Sequence, residues 1–152
     1  MSDGLFCLSC PLADQTLEGI PELVKPLSNQ PPSILVVEDF EDSRSALRRL
    51  LEIEGFLILE AIDGRQASET AIRELPDLIL MDLSLPTVNG FQATREIRAA
   101  EKCRALPIII VSAHDTNEMR DEARAAGCTD YITKPIDFDQ LRGLIRKYIP
   151  AP

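Results

Sequence analysis

The stretch Asp77-Leu78-Ile79-Leu80-Met81-Asp82-Leu83-Ser84-Leu85-Pro86 carries an apolar run that ends on a carboxylate, Asp82. Burying a strand whose tip holds a charge is costly unless that charge has a partner or a task. Three other apolar runs end in the same way. Glu38-Asp39 follow Ile34-Leu35-Val36-Val37, Ser112 follows Ile108-Ile109-Ile110-Val111, and Lys134 follows Tyr131-Ile132-Thr133. Acids, a further acid, a hydroxyl and an amine at four strand tips are the makings of a site for phosphoryl chemistry.

Between these runs the hydrophobic period changes from strand to helix. Strands are expected at Ile34–Val37, Phe56–Leu59, Leu78–Met81, Pro107–Val111 and Asp130–Ile132. The Ile-Ile-Ile-Val run has the composition of a parallel strand buried on both faces. Helices are expected at Asp42–Glu54, Gly64–Glu74, Asn89–Ala100, Asp115–Ala126 and Asp137–Tyr148. The first carries an apolar stripe at Ala46, Leu47, Leu50, Leu51 and Ile53 and stops at Gly55. Asn89 and Asp115 are placed to cap their helices, and Gly127 closes the fourth. Five βα units in succession predict an α/β fold, a doubly wound parallel sheet with strand order 2-1-3-4-5. In such a sheet the ligand lies beyond the carboxyl ends of the strands where the order reverses, here between strands 1 and 3. Asp39 and Asp82 then face each other across the crevice, with Ser112 and Lys134 on neighbouring strands.

Composition narrows the classes. The 152 residues suit one domain with a real core, and 45% hydrophobic with 27% charged residues is ordinary for a soluble protein. No apolar run approaches the roughly 20 residues that span a bilayer. A net charge of -9 disfavours direct binding of nucleic acid or anionic membranes. Residues 1–33 carry five prolines and no sustained period, and are expected to form a flexible extension. Within it Cys7 and Cys10 make a lone C-x-x-C that no second pair or histidine cluster completes. Asp3 and the shortness of the apolar stretch argue against a signal peptide, so the chain is read as cytoplasmic with reduced thiols.

Three clustered carboxylates repel unless a counter-charge joins them. Mg²⁺ resolves the conflict, because it takes oxygen ligands and commonly bridges carboxylates to a phosphate. Asp82 is the candidate nucleophile, since a carboxylate can carry a phosphoryl group as an aspartyl phosphate. Lys134 can neutralise one phosphoryl oxygen and Ser112 can donate to another. A different class, a hydrolase using Ser112, His114 and Asp115, is weak: three near-adjacent residues on one loop make a poor triad, and no nucleophile-elbow pattern surrounds Ser112.

Residues 34–149 resemble the receiver domain of two-component response regulators. The resemblance rests on Val36-Val37-Glu38-Asp39, on Met81-Asp82-Leu83-Ser84-Leu85-Pro86 with Gly90, on Ile110-Val111-Ser112-Ala113, and on Gly127-Cys128-Thr129-Asp130-Tyr131-Ile132-Thr133-Lys134-Pro135. It implies a flavodoxin-like (βα)5 fold followed by a short tail at 150–152. Asp82 would be the phospho-acceptor. Glu38, Asp39, Asp82 and the backbone carbonyl of Ser84 would bind Mg²⁺. Ser112 and Tyr131 would be the hydroxyl and aromatic switch residues. Lys134 would pair with the phosphoryl group and precede Pro135 through a cis bond. Ser84 and His114 occupy positions that tune hydrolysis of the phosphoryl group.

Glu38 stands where a first Asp is more usual, Leu85 where Met is frequent, and Cys128 where Ala is frequent. The donor would be a sensor histidine kinase, a histidine phosphotransfer protein or a small acyl phosphate. On phosphorylation Ser112 would be drawn in and Tyr131 would rotate inward. The face of the fourth helix, fifth strand and fifth helix would change for a downstream protein, with room for a homodimer formed on phosphorylation. With nothing after the fifth helix, the chain reads as a stand-alone receiver. A pseudo-receiver, an interaction module that works without phosphorylation, is the alternative.

Overall fold

A computed structural model describes residues 29–152. Residues 1–28, which hold Cys7, Cys10 and most of the expected extension, lie outside the described residues. The elements run β1 Ser33–Val37, α1 Glu41–Ile53, β2 Leu57–Ala61, α2 Gly64–Glu74, β3 Leu78–Asp82, α3 Gly90–Ala99, β4 Ile108–Ser112, α4 Asn117–Ala126, β5 Asp130–Thr133 and α5 Phe138–Tyr148. All five strands are parallel and their order is β2-β1-β3-β4-β5, the flavodoxin-like arrangement.

The alternation of side chains along each strand builds two cores. Leu35, Val37, Ile79, Met81, Ile108 and Ile110 pack with Ala67 and Ala71 of α2, Phe91 and Ile97 of α3, and Ala123 and Ala126 of α4. Ile34, Val36, Leu78, Leu80, Ile109, Val111 and Ile132 pack with Leu47 and Leu51 of α1 and Leu141 and Ile145 of α5. The central strands are therefore apolar on both faces, which is why their sequence shows runs rather than alternation.

Several boundaries differ from the sequence reading, each for a local reason. Phe56 lies outside β2. It is buried with Leu51, Leu141 and Ile145, and its N–H donates to the Leu51 carbonyl at 3.1 Å. β3 and β4 run one residue further than expected, because the parallel ladder continues to pair Asp82 with Val111 and Ser112 with Thr133. Asp115 does not cap α4. Thr116 does, its hydroxyl accepting from the Met119 N–H at 3.2 Å, while the Asp115 carboxylate is taken by Arg120. Asn89 caps α3 as expected, accepting from the Gln92 N–H at 2.9 Å. Gly55 ends α1 at φ 96°, a backbone angle that favours glycine. Pro152, in the expected tail, lies over it.

A turn at Glu101–Cys103, a short 3-10 segment, has no counterpart in the sequence reading. Arg98 explains it. Its guanidinium donates to the carbonyls of Cys103 (2.8 Å), Leu106 (2.6 Å) and Gly127 (2.8 Å) and to the Thr129 hydroxyl (3.2 Å). One cation thus ties the end of α3 to the loop before β5, and its burial holds its pKa below the usual guanidinium range. Cys103 is fully buried, whereas Cys128 is only half-buried; burial pushes both thiols up.

Candidate functional site

The carboxyl ends of β1, β3, β4 and β5 bring the four polar tips together. Glu38 and Asp82 are 3% and 4% exposed, Ser112 is fully buried, and Asp39 is exposed. Ligand oxygens of Glu38, Asp39 and Asp82 all lie within 4.8 Å of one another. Lys134 bridges the buried pair, with Nζ 2.9 Å from Glu38 Oε2 and 3.3 Å from Asp82 Oδ2. Glu38 Oε1 also accepts from the Phe40 N–H at 3.2 Å, and Asp82 Oδ1 from the Ser84 N–H at 3.1 Å.

One ammonium faces three carboxylates, so the crevice holds an excess of negative charge. Burial, followed by the neighbouring Asp82, pushes the Glu38 carboxyl up despite its bond from Lys134. Burial alone would lower the Lys134 ammonium, but its bond to Glu38 and the charges of Asp82 and Glu38 outweigh that and raise it. The Lys134 shift records the negative charge gathered around it, whereas the Glu38 shift is led by loss of solvent. An all-oxygen donor set with surplus negative charge fits a hard divalent cation of the Mg²⁺ type.

The remaining sequence candidates are placed as follows. The Lys134 N–H donates to the Ser112 carbonyl at 2.7 Å, and the Lys134–Pro135 bond is cis. Ser112 Oγ accepts from the His114 N–H at 3.1 Å. The Tyr131 ring lies inward, buried, and its hydroxyl donates to the His114 carbonyl at 2.5 Å. Ser84 and His114 are exposed at the mouth. The hydrolase grouping is not assembled, because Arg120 binds Asp115 in a two-pronged pair and the Ser112 oxygen is used by the His114 backbone.

Two contacts escaped the sequence reading. Arg44 donates to the Glu38 carbonyl at 3.0 Å and to Glu60 Oε1 at 3.1 Å, which steadies the acidic turn from α1. Gly90 admits α3 against the turn after β3, where a Cβ would stand 2.4 Å from the Asp82 carbonyl oxygen. Gly90 follows the Met81–Pro86 motif in the sequence, but no local pattern marks Arg44.

A profile of the response regulator receiver domain matches residues 34–146. The chain belongs to that family. Among relatives, the polar-differentiation response regulator DivK of Brucella anthropi is 34% identical over 119 residues, covering 78% of this chain and 97% of DivK. Protein PilH of Pseudomonas aeruginosa is 37% identical over 108 residues, covering 71% of this chain and 89% of PilH. The receiver domain of sensor histidine kinase PA1611 from Pseudomonas aeruginosa, solved with a magnesium ion in its active site cleft, superposes with TM-score 0.73. It is 36% identical and covers 78% of this chain and 97% of its own. Vibrio cholerae CheY4 shares the fold at TM-score 0.75 and 24% identity, over 78% of this chain and 99% of its own. Among the described residues of this receiver no helix is long and apolar enough to cross a membrane.

Proposed function

We propose that this receiver accepts a phosphoryl group on Asp82, in a Mg²⁺-dependent reaction, from a sensor histidine kinase or histidine phosphotransfer protein. It then signals through a change in its α4–β5–α5 face. The observation that carries the reading is the convergence of Glu38, Asp39 and Asp82 at one crevice, with Lys134 bridging the two buried acids. The magnesium in the cleft of the PA1611 receiver supports the same reading.

A carboxylate oxygen of Asp82 attacks the phosphorus. The bond from phosphorus to the donor's imidazole nitrogen, or to the oxygen of an acyl phosphate, breaks, and the leaving group keeps the electron pair. Lys134, already within 3.3 Å of Asp82, offers its ammonium to a phosphoryl oxygen. Ser112 offers its hydroxyl from the adjacent strand tip, and the Ser84 N–H lies beside the acceptor. Glu38, Asp39, Asp82 and the Ser84 carbonyl would hold Mg²⁺, which when bound supplies Lewis-acid neutralisation of the transferring oxygens. Ser84 and His114 control the approach of hydrolytic water. Ser112 and Tyr131 carry the change to the output face.

The similarity to the response regulator DivK, 97% of which is matched, supports action through a protein partner. The complete set of acids, hydroxyl and lysine speaks against a pseudo-receiver. Incubation with acetyl phosphate and Mg²⁺ should add the mass of one phosphate, and Asp82→Asn should abolish the gain. No gain from acetyl phosphate or any phosphohistidine donor would overturn the proposal in favour of the pseudo-receiver.

A further inference from the structure

Three groups close a ring around the switch aromatic. The Tyr131 hydroxyl donates to the His114 carbonyl at 2.5 Å. Asp115, the next residue, receives both prongs of the Arg120 guanidinium, with the second contact at 3.0 Å. Arg120, on the first turn of α4, returns to the start by lying over the Tyr131 ring, 4.9 Å from its centroid. The loop after β4, helix α4 and strand β5 are thus joined through one guanidinium. The fork geometry of arginine permits both tasks at once, binding a carboxylate in the plane and stacking on an aromatic face.

We infer that Arg120, braced by Asp115, is a positioning residue that holds Tyr131 inward and so sets the balance of the switch. The inference deepens the proposed function and rests on its reading of Tyr131 as the switch aromatic. The bond from Arg120 also holds the Asp115 carboxyl below its usual range. A guanidinium that stays partly in solvent, stacked on an aromatic face, shifts a two-state ratio by about two- to five-fold. Its removal therefore raises the outward fraction of Tyr131 by that factor.

Tyr131 and Tyr148 are the two tyrosines of the chain. Replacing both with 3-fluorotyrosine gives two ¹⁹F signals, assigned with Tyr148→Phe. The solvent-isotope shift between H₂O and D₂O then reads the exposure of each ring to water. In the full chain without phosphodonor, Arg120→Met should raise the outward fraction of Tyr131 about two- to five-fold. Tyr148 should stay unchanged, as a purely structural loosening would not predict. Asp115→Asn should move Tyr131 in the same direction, and Arg120→Lys should restore part of the wild-type value. An unchanged Tyr131 shift in Arg120→Met overturns the inference. The measurement needs no phosphoryl transfer and should give the same result in an Asp82→Asn background. Its failure is therefore distinct from failure of the one-phosphate mass gain.

Discussion

Lys134 and Asp39 make opposite contributions to the resting pocket. Lys134 is the cation that the buried carboxylates of Glu38 and Asp82 share, at 2.9 and 3.3 Å. Truncating it leaves both acids short of a partner, so Lys134→Met should cost the metal-free protein about 1–3 kcal/mol. Asp39 is exposed and adds like charge beside two buried acids. Asp39→Ala should leave the metal-free fold at least as stable, yet weaken Mg²⁺ binding and slow phosphorylation. Urea titrations with and without Mg²⁺ separate the two effects. Mg²⁺ at about 100 times its dissociation constant should stabilise the wild type by roughly 2.7 kcal/mol. The same concentration should do much less for Asp39→Ala. An equal gain in both proteins would remove Asp39 from the metal site.

The elements are held in place by contacts that local propensity does not contain. Arg98 is the clearest case. It serves the carbonyls of Cys103, Leu106 and Gly127 together, and so fixes the turn after α3 and the loop that feeds β5. Arg98→Met would leave these acceptors without their donor and should cost about 2–3 kcal/mol in urea unfolding. Arg98→Lys should recover little, since a point charge on a flexible stem cannot span several carbonyls. A loss below about 0.5 kcal/mol, the range of ordinary surface changes, would mean that water replaces the guanidinium at no cost. The α1–β2 link is tied by similar means, through Arg44 and Arg48 to Glu60.

At the scale of the molecule, the net charge of -9 sets a limit on partners. Duplex DNA should not be retarded by this protein in gel electrophoresis at about 0.15 M salt. A retarded band would show a basic face that the charge balance conceals. The alternation of buried runs and amphipathic stripes made the sheet order legible, because parallel βα units connect with one hand and reverse order at one place. Asp82, Glu38, Asp39, Ser112 and Lys134 were legible for the same reason, as polar residues ending apolar runs. What the chain left open was decided by contacts between residues distant in sequence. Thr116 rather than Asp115 caps α4 because Arg120, reaching back one turn, claims the aspartate. Phe56 leaves β2 because the gap between α1 and α5 buries it. The inward ring of Tyr131 depends on a carbonyl at 114 and a guanidinium at 120. Period and composition act along the chain, and they determined the succession of strands and helices and the meeting of the polar tips at one crevice. Partner choice among caps, salt bridges and rings acts across it, and only the tertiary structure decides which competing acceptor a given donor reaches.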